Sequence, residues 1–566
     1  MKNRVVADIL YEIADLLEMQ EVEFKPRAFR RAAQNIESQG EDIEELYQED
    51  RLGDIPGVGE SIANIIAEYL ETGAVERLEK LRKQRPMDIK SLSAVEGLGP
   101  KRITKLYQEL GITNLDELET AAKKGHIREI KGFGEKTEQN ILENIAFARK
   151  SQQRFLLGYV LPEAEEILAL LEDHTDRVDV AGSLRRKKET IGDIDILAVA
   201  AQPAAVMDFF TELDRVEKVL AKGDTKSSVR LYGGVQVDIR LIAEESFGSA
   251  LQYFTGSKSH NIALRKLAQK RDLKLNEYGL FRGEEQQAGR TEEEVYQALG
   301  LAWIPPELRE DRGEIPAAQQ DQLPRLVDYE EVKGDLQMHT TWSDGVNSIE
   351  EMVDVARRMG HAYIAITDHV GSLKIAGGMD AAELAKQGKQ LAKIRENYDD
   401  IHVFHGIEAN IQKDGELDVG HDVLDQVDVV LASVHSAFRM DEKEMTSRVI
   451  TALEHPAVNI LAHPTCRIIQ KRESIKLDFD RVLEAASENQ VALEINAFPE
   501  RLDLNDVNAR RAVETGVKLS LGTDAHRKDH LRYLPLGTAV ARRGWAERDA
   551  IINTYTVQQL QRFFSK

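Results

Sequence analysis

After residue 333 the sequence settles into a rhythm that few folds can satisfy. Seven short apolar segments, GDLQMH, YIAITDH, VFHGIEAN, VVLASVH, NILAHP, ALEINA and KLSLGTDAH, each run into polar or ionisable residues. Helical stretches such as SIEEMVDVARRMG (348–360) and DFDRVLEAASENQ (478–490) separate most of them. Strand–helix alternation with reactive side chains at the strand ends predicts a parallel α/β barrel whose site forms at the C-terminal rim. The rim residues are His339, Asp344, His369, Glu408, His435, His463, Asp524 and His526. A lone histidine is more often a satisfied core or surface residue. Eight His, Asp and Glu residues on successive strand ends point instead to a metal centre. Asp478 and Asp480 fall outside this pattern and read as helix-start acids. Cys466 is the only cysteine, which excludes an internal disulfide and a cysteine-built metal site; it reads as a barrel residue.

The first 150 residues read as short amphipathic helices joined by glycine turns. One pattern recurs three times, as IPGVGESIANII (55–66), VEGLGPKRITKLY (95–107) and IKGFGEKTEQNIL (130–142). Each is a hydrophobic residue, Gly-x-Gly, then a helix with apolar periodicity. Without a Cβ, the backbone N–H groups can approach a phosphate, and the helix N-terminus adds a favourable field. A tight helix connection explains one such turn equally well, but three with the same flanks favour a backbone-gripping role. The candidate phosphate contacts are Gly57, Gly59, Gly97, Gly99, Gly132 and Gly134.

From about residue 176 strands appear, in VDVAGS, DIDILAVA and VQVDIRLI. Asp193 and Asp195, two apart, fall on one face of a strand, and Asp238 lies on a strand that could be its neighbour. Converging carboxylates repel unless cations sit between them, and hard oxygen ligands of this kind suit Mg²⁺. Solvated edge-strand acids are the alternative for an isolated Asp-x-Asp. Residues 305–325 lose periodicity and carry Pro305, Pro306, Pro316 and Pro324, as a linker would.

Composition narrows the class. Hydrophobic residues at 42% and charged residues at 31% exclude wholesale disorder and fibrous repeats. No segment approaches the roughly 20 consecutive apolar residues of a membrane helix. The N-terminal segment, broken by Asp8, Glu12 and Asp15, reads as an amphipathic helix rather than a signal peptide. A net charge of −23 looks hostile to nucleic acid, yet acidic helices and metal-binding carboxylates can dominate a total while basic grooves persist. Clusters such as Arg27, Arg30 and Arg31 provide such grooves.

Over roughly residues 1–300 the sequence resembles the family X DNA polymerases. The match runs through PGVG (56–59), GLG (97–99), GSLRR (182–186), GDIDIL (192–197), VDIRL (237–241), YFTGS (253–257) and NEYGL (276–280). By that resemblance the glycine turns are helix-hairpin-helix motifs, and Asp193, Asp195 and Asp238 are the catalytic residues holding two Mg²⁺ ions. Gly182, Ser183 and Arg186 match contacts to the triphosphate of an incoming deoxynucleotide. Tyr253, Phe254 and Gly256 match the sugar-facing strip, while Asn261 and Arg265 face the nascent pair and template. Lys258 stands where the beta-type enzyme has an acid. Lys25 matches a lysine of the 5′-phosphate pocket, but Ile65 occupies the position of the family's Schiff-base lysine and Ser61 replaces another pocket lysine. An isoleucine cannot form an imine.

Residues 334–566 resemble the polymerase-and-histidinol-phosphatase (PHP) family, through MHTTWSDG (338–345), TDH (367–369), GIEAN (406–410), SVH (433–435), AHP (462–464) and GTDAH (522–526). The resemblance implies a distorted seven-stranded barrel with up to three metal ions, Mn²⁺ or Zn²⁺, that hydrolyses phosphoesters. Gln337 replaces the first His of the usual His-x-His, a poorer ligand.

The two resemblances together imply a multidomain chain. Residues 1–85 and 86–150 form helix-hairpin-helix domains, 151–250 an α+β nucleotidyltransferase palm and 251–315 a thumb. A linker at 316–333 leads to the (β/α)7 PHP barrel at 334–566. The expected activity is filling of short gaps in DNA repair, with metal-dependent 3′→5′ exonuclease activity in the barrel. Gapped or nicked DNA and deoxynucleoside triphosphates are the expected partners of a cytoplasmic monomer without membrane contact. Alternatives are abasic-site endonuclease, 3′-phosphodiesterase or phosphatase activity in the barrel, or a DNA-binding scaffold with inactive sites.

Overall fold

The computed structural model describes residues 3–565 apart from 21, 23, 38–42, 85, 86, 94, 96, 97, 152, 153 and 372–376. The N-terminal region is wholly helical, from Asn3–Met19 to Glu135–Ser151. Its helices are too short to be stable alone, and they share one core in which Leu10, Ile13, Ile36, Ile66, Leu106 and Leu118 are buried. Ile65 is buried there too, at 6% exposure.

A five-stranded mixed sheet follows, in the order Arg177–Val180, Asp193–Val199, Gln236–Leu241, Lys226–Leu231, Val216–Lys222. Strand Asp193–Val199 runs parallel to Gln236–Leu241 and places Asp195 directly opposite Asp238. The next region carries helices Phe247–Thr255 and Lys258–Gln269 and a three-stranded antiparallel sheet over residues 274–288.

The C-terminal region is a barrel of seven parallel strands in chain order, Gly334–Asp335, Tyr363–Ile366, His402–Asn410, Val429–Ser433, Ile460–Leu461, Ala492–Asn496 and Leu519–Gly522. Tyr363–Ile366, Val429–Ser433 and Ala492–Asn496 are buried at every residue, the pattern of a sheet covered on both faces. The first and last strands meet as well: the Leu336 N–H donates to Leu521 O at 3.2 Å and the His339 N–H to Ala525 O at 2.8 Å. The ring is thereby closed.

Residues 305–325, which read as a linker from their prolines, and 316–333, the linker expected between the domains, are folded and packed. Arg309 is fully buried and forks onto Glu292 at 2.5 and 3.0 Å, and the Val327 N–H donates to Ala546 O at 3.0 Å. The segment packs through charged pairs, which hydrophobic periodicity does not report. Around it the two halves are joined tightly. The barrel's Arg543 lies 2.5 Å from Asp506 and 3.2 Å from Glu310, and it donates to the Arg186 carbonyl at 2.7 Å. A Cβ on Gly158 would come within 2.8 Å of Pro499 and Leu536, so glycine is required for this close approach.

Candidate functional site

The three glycine turns have one geometry. The N–H groups of Val58, Leu98 and Phe133 each donate three residues back, to Ile55, Val95 and Ile130, at 2.9–3.0 Å. Gly59, Gly99 and Gly134 then accept the first helical bond from Ile62, Arg102 and Glu138. Gly57 and Gly132 have φ of +85° and +93°, a region that disfavours any side chain. At Gly59, Gly99, Gly132 and Gly134 an added Cβ would meet nothing within 4 Å, so the turns face open space that a DNA backbone can enter. Gly97 lies outside the described residues. Lys25 is exposed at the start of helix Lys25–Glu37.

In the mixed sheet, Asp193 is exposed, Asp195 half-buried and Asp238 buried. Gly182, at φ +64°, opens the short helix that carries Ser183, and its missing Cβ leaves room for Asp195 Oδ2, which would lie at 2.6 Å. Burial, then the Asp193 and Asp238 charges, push the Asp195 carboxyl up to about 6. Asp238 goes the other way. Burial opposes ionisation, but Lys226 at 2.8 Å and the Gln236 amide at 2.9 Å hold it below the usual carboxylate range. The lysine thus partly neutralises the trio. Arg186 donates to the Thr255 carbonyl and pairs with Glu310 at 3.1 Å, which brings it beside Gly256. Tyr253 and Phe254 meet edge to face at 5.1 Å, and Asn261 donates to Tyr253 O at 2.7 Å. Arg265 is half-buried on helix Lys258–Gln269.

All eight rim residues converge at one end of the barrel. Seven of them, all but His463, have ligand atoms in three groups within 4.8 Å: His339, Asp344, His369 and His526; His369, Glu408 and His435; and His339, Glu408 and Asp524. Glu408 is central. Its Oε1 lies 3.2 Å from His435 Nε2 and 3.1 Å from His463 Nε2, and its Oε2 lies 3.3 Å from His339 Nε2. Burial would raise the Glu408 carboxyl, yet His369, His339 and His435 hold it well below the usual range. His463 and Asp524 have φ of +28° and +53°, a strained backbone of the kind found at functional sites.

The residues fit divalent metal. His339, His369 and His463 all carry buried ring nitrogens without a hydrogen-bond partner, and so does the Gln337 Oε1. Buried polar atoms are rarely left so, and imidazole and carboxylate donors in these numbers suit Mn²⁺ or Zn²⁺. Gln337 lies in the same cluster, where its Nε2 donates to Glu408 Oε2 at 3.1 Å.

Several neighbours escape a reading by sequence. Glu494 is buried beside the cluster and accepts the His463 N–H at 2.6 Å; burial, then Asp524, raises its carboxyl well above the usual range. Asp335 accepts the Gln337 and Thr523 N–H groups and so fixes the two strand ends that carry Gln337 and Asp524. Asp368 binds Thr340, Ser343 and Gln387 at 2.6–2.7 Å and orders the His339–Asp344 turn. All three acids sit in the seven apolar segments, Asp335 in GDLQMH, Asp368 in YIAITDH and Glu494 in ALEINA, but nothing in those segments separates a supporting acid from a ligand. Cys466 is buried, with its thiol near Val434 O.

Sequence models of known families match this division. The DNA polymerase beta thumb model matches residues 250–310 and the PHP domain model residues 335–498. A helix-hairpin-helix domain model matches 1–75, and a SAM-like helix-hairpin-helix tandem matches 49–110 and 89–146. The chain is 37% identical, over the full length of both, to the DNA polymerase/3′-5′ exonuclease PolX of Bacillus subtilis (strain 168). It belongs to the family X polymerases that carry a PHP domain. Its family X part is also similar to DNA polymerase lambda of Arabidopsis thaliana, at 24% identity over 54% of this chain and 62% of that one. The PHP part is 30% identical to a probable phosphatase of Thermoanaerobacter sp. (strain X514), over 39% of this chain and 90% of the relative. Asp524 and His526 lie beyond the PHP match, on the turn after the last barrel strand.

Proposed function

We propose that the protein is a DNA-directed DNA polymerase that fills short gaps during repair, with a metal-dependent 3′→5′ exonuclease in its barrel. The observation that carries this reading is the presence of two separate carboxylate-rich centres in one chain. Asp195 stands in register with Asp238 in the palm, and Glu408 is ringed by histidines in the barrel.

In the palm, Asp193, Asp195 and Asp238 would hold two Mg²⁺ ions. Ser183 and Arg186 bind the triphosphate, where a fixed guanidinium suits phosphate oxygens. Tyr253, Phe254 and Gly256 position the sugar, and Asn261 and Arg265 face the base pair. The three glycine turns hold gapped or nicked DNA through its backbone, without reading sequence. In the barrel, His339, Asp344, His369, Glu408, His435, His463, Asp524 and His526 would hold up to three Mn²⁺ or Zn²⁺ ions. Metal at either centre supplies a water or hydroxyl of lowered pKa and stabilises charge on the phosphate. The protein's own part is to orient those groups and exclude bulk water. The domain limits, apart from the folded segment at 316–333, the cytoplasmic location and the monomeric state follow the expectations given above.

A second reading for the barrel, hydrolysis of phosphoesters at blocked 3′ ends, draws support from its similarity to the probable phosphatase. A matrix of metals against gapped, 3′-phosphorylated and abasic duplexes separates these readings. Extension of gaps with Mg²⁺ and stepwise 3′ shortening with Mn²⁺ are expected. Release of phosphate alone would favour the second reading, and inactivity on every substrate would leave a scaffold.

A further inference from the structure

We infer that the cleft beside Asp524 is the nucleotide subsite of the barrel's hydrolytic centre and that Arg501 binds a phosphate of the DNA 3′ end there. This rests on the phosphodiesterase reading above. Arg501 lies in the turn after strand Ala492–Asn496, and its side chain is only 22% exposed. Its Nε is 3.4 Å from Asp524 Oδ2, and among the described residues its guanidinium donates no hydrogen bond. A guanidinium held by one carboxylate at 3.4 Å keeps donors that a further acceptor can satisfy.

Arg309 shows how this chain treats an arginine with a purely structural task. It forks onto Glu292 at 2.5 and 3.0 Å and donates to Ile304 O at 2.8 Å. Arg501 has the opposite arrangement, one ion pair through its Nε to a rim carboxylate and no hydrogen bond from the rest of its fork. A phosphate oxygen is the acceptor that such a planar fork matches.

The surroundings specify more than phosphate. Arg501 opens on a cleft of about 460 Å³, within the roughly 300–1,000 Å³ of small-molecule sites. Its lining includes the rim residues Asp344, Asp524 and His526 and the aromatic residues Phe498, His530 and Tyr533. The rings of Phe498 and Tyr533 lie 5.1 and 5.8 Å from that of His530. His530 is 6% exposed, and neither of its ring nitrogens has a partner. Such an aromatic lining suits contact with a base. A guanidinium beside a rim carboxylate and aromatic rings in the same cleft fit one nucleoside monophosphate unit.

The test uses the full chain with Mn²⁺. Three quantities are measured for wild type, Arg501→Ala and Arg501→Lys: KM and kcat for thymidine 5′-p-nitrophenyl phosphate, calorimetric affinity for thymidine 5′-monophosphate, and calorimetric affinity for Mn²⁺. Arg501→Ala should raise KM and weaken the monophosphate roughly ten-fold or more, with part recovered by Arg501→Lys. Mn²⁺ affinity should hold or tighten, because a cation beside Asp524 has gone. Unchanged KM and monophosphate affinity would overturn the assignment. So would loss of Mn²⁺ affinity in both variants with KM unchanged, which marks a structural pin on Asp524. Inorganic phosphate binding as tightly as the monophosphate would overturn the nucleotide part. If the wild type failed to cleave the ester, the phosphodiesterase reading would fail, whereas an Arg501-dependent monophosphate affinity would still support the subsite.

Discussion

At the palm, three carboxylates stand on neighbouring strands, and the Lys226 ammonium reaches across to one of them. At the barrel, Glu408 and Asp524 are enclosed by histidines, and the ligand atoms already lie within 4.8 Å in three overlapping groups. Among the described residues the palm trio belongs to no such group. The difference is chemical. Carboxylates alone repel when crowded without a cation, which fits the wider spacing of the palm trio. Histidines can be neutral or charged, so the barrel can pre-form its cage. On the proposed function, one centre would be completed with its substrate and the other is built in advance.

The comparison breaks most visibly if the joint between the halves is cut. Arg543 is buried against Asp506 and Glu310, and removing one member of a buried charged set typically costs about 3–5 kcal/mol. Arg543→Ala should lower stability by that order in denaturant titration. It should also raise KM for deoxynucleotide, because Glu310 would be left to pull on Arg186 alone. Normal stability would mean that the two halves are only tethered.

A built-in cage should respond to its ligands and not to the palm. Gln337→His supplies a nitrogen ligand to the buried cluster, so metal affinity at the barrel should rise about ten-fold and preference move from Mn²⁺ toward Zn²⁺. Metal titrations that match wild type would show that Gln337 is not a ligand. In the open palm the expected change is smaller. Lys226→Ala removes a competing cation from Asp238, so the Mg²⁺ needed for half-maximal polymerisation should fall by about two- to five-fold. A rise would instead make Lys226 a supporting group for the metal-bound state.

Cys466 gives the smallest signal. Burial pushes its thiol up to about 12, so the native chain should react with a thiol reagent only at its rate of opening. Rapid labelling without loss of either activity would show the barrel wall to be loose.

How much of this was legible in the sequence follows from the kind of signal each residue leaves. His339, His435, His463 and Asp524 stand out because apolar strands run straight into them, and strand ends are where a parallel barrel gathers its chemistry. Asp195 and Asp238 could be paired because each sits in a β-branched run. Lys226 could not, because its nearness to Asp238 arises from the pairing of two antiparallel strands, and on its own strand it looks like an ordinary surface lysine. Arg501 hides in a turn for the same reason. The stretches at 305–325 and 316–333 left no helical or strand signal because this part of the chain is held by Arg309, Glu292 and Glu307, whereas periodicity reports only apolar faces. Glu494 sits in a strand that was recognised, but only burial shows that its carboxyl belongs to the cluster.

The most direct test of two separate centres on one frame is a pair of variants assayed on one gapped duplex with Mg²⁺ and Mn²⁺ both present. Asp193→Ala should lose extension by roughly 10³-fold or more, in line with loss of a metal-held group, and keep 3′ shortening. His339→Ala should do the reverse, and a mixture of the two variants should show both activities. Parallel loss of both activities in either folded variant would contradict the account, because it would mean that one centre performs both reactions.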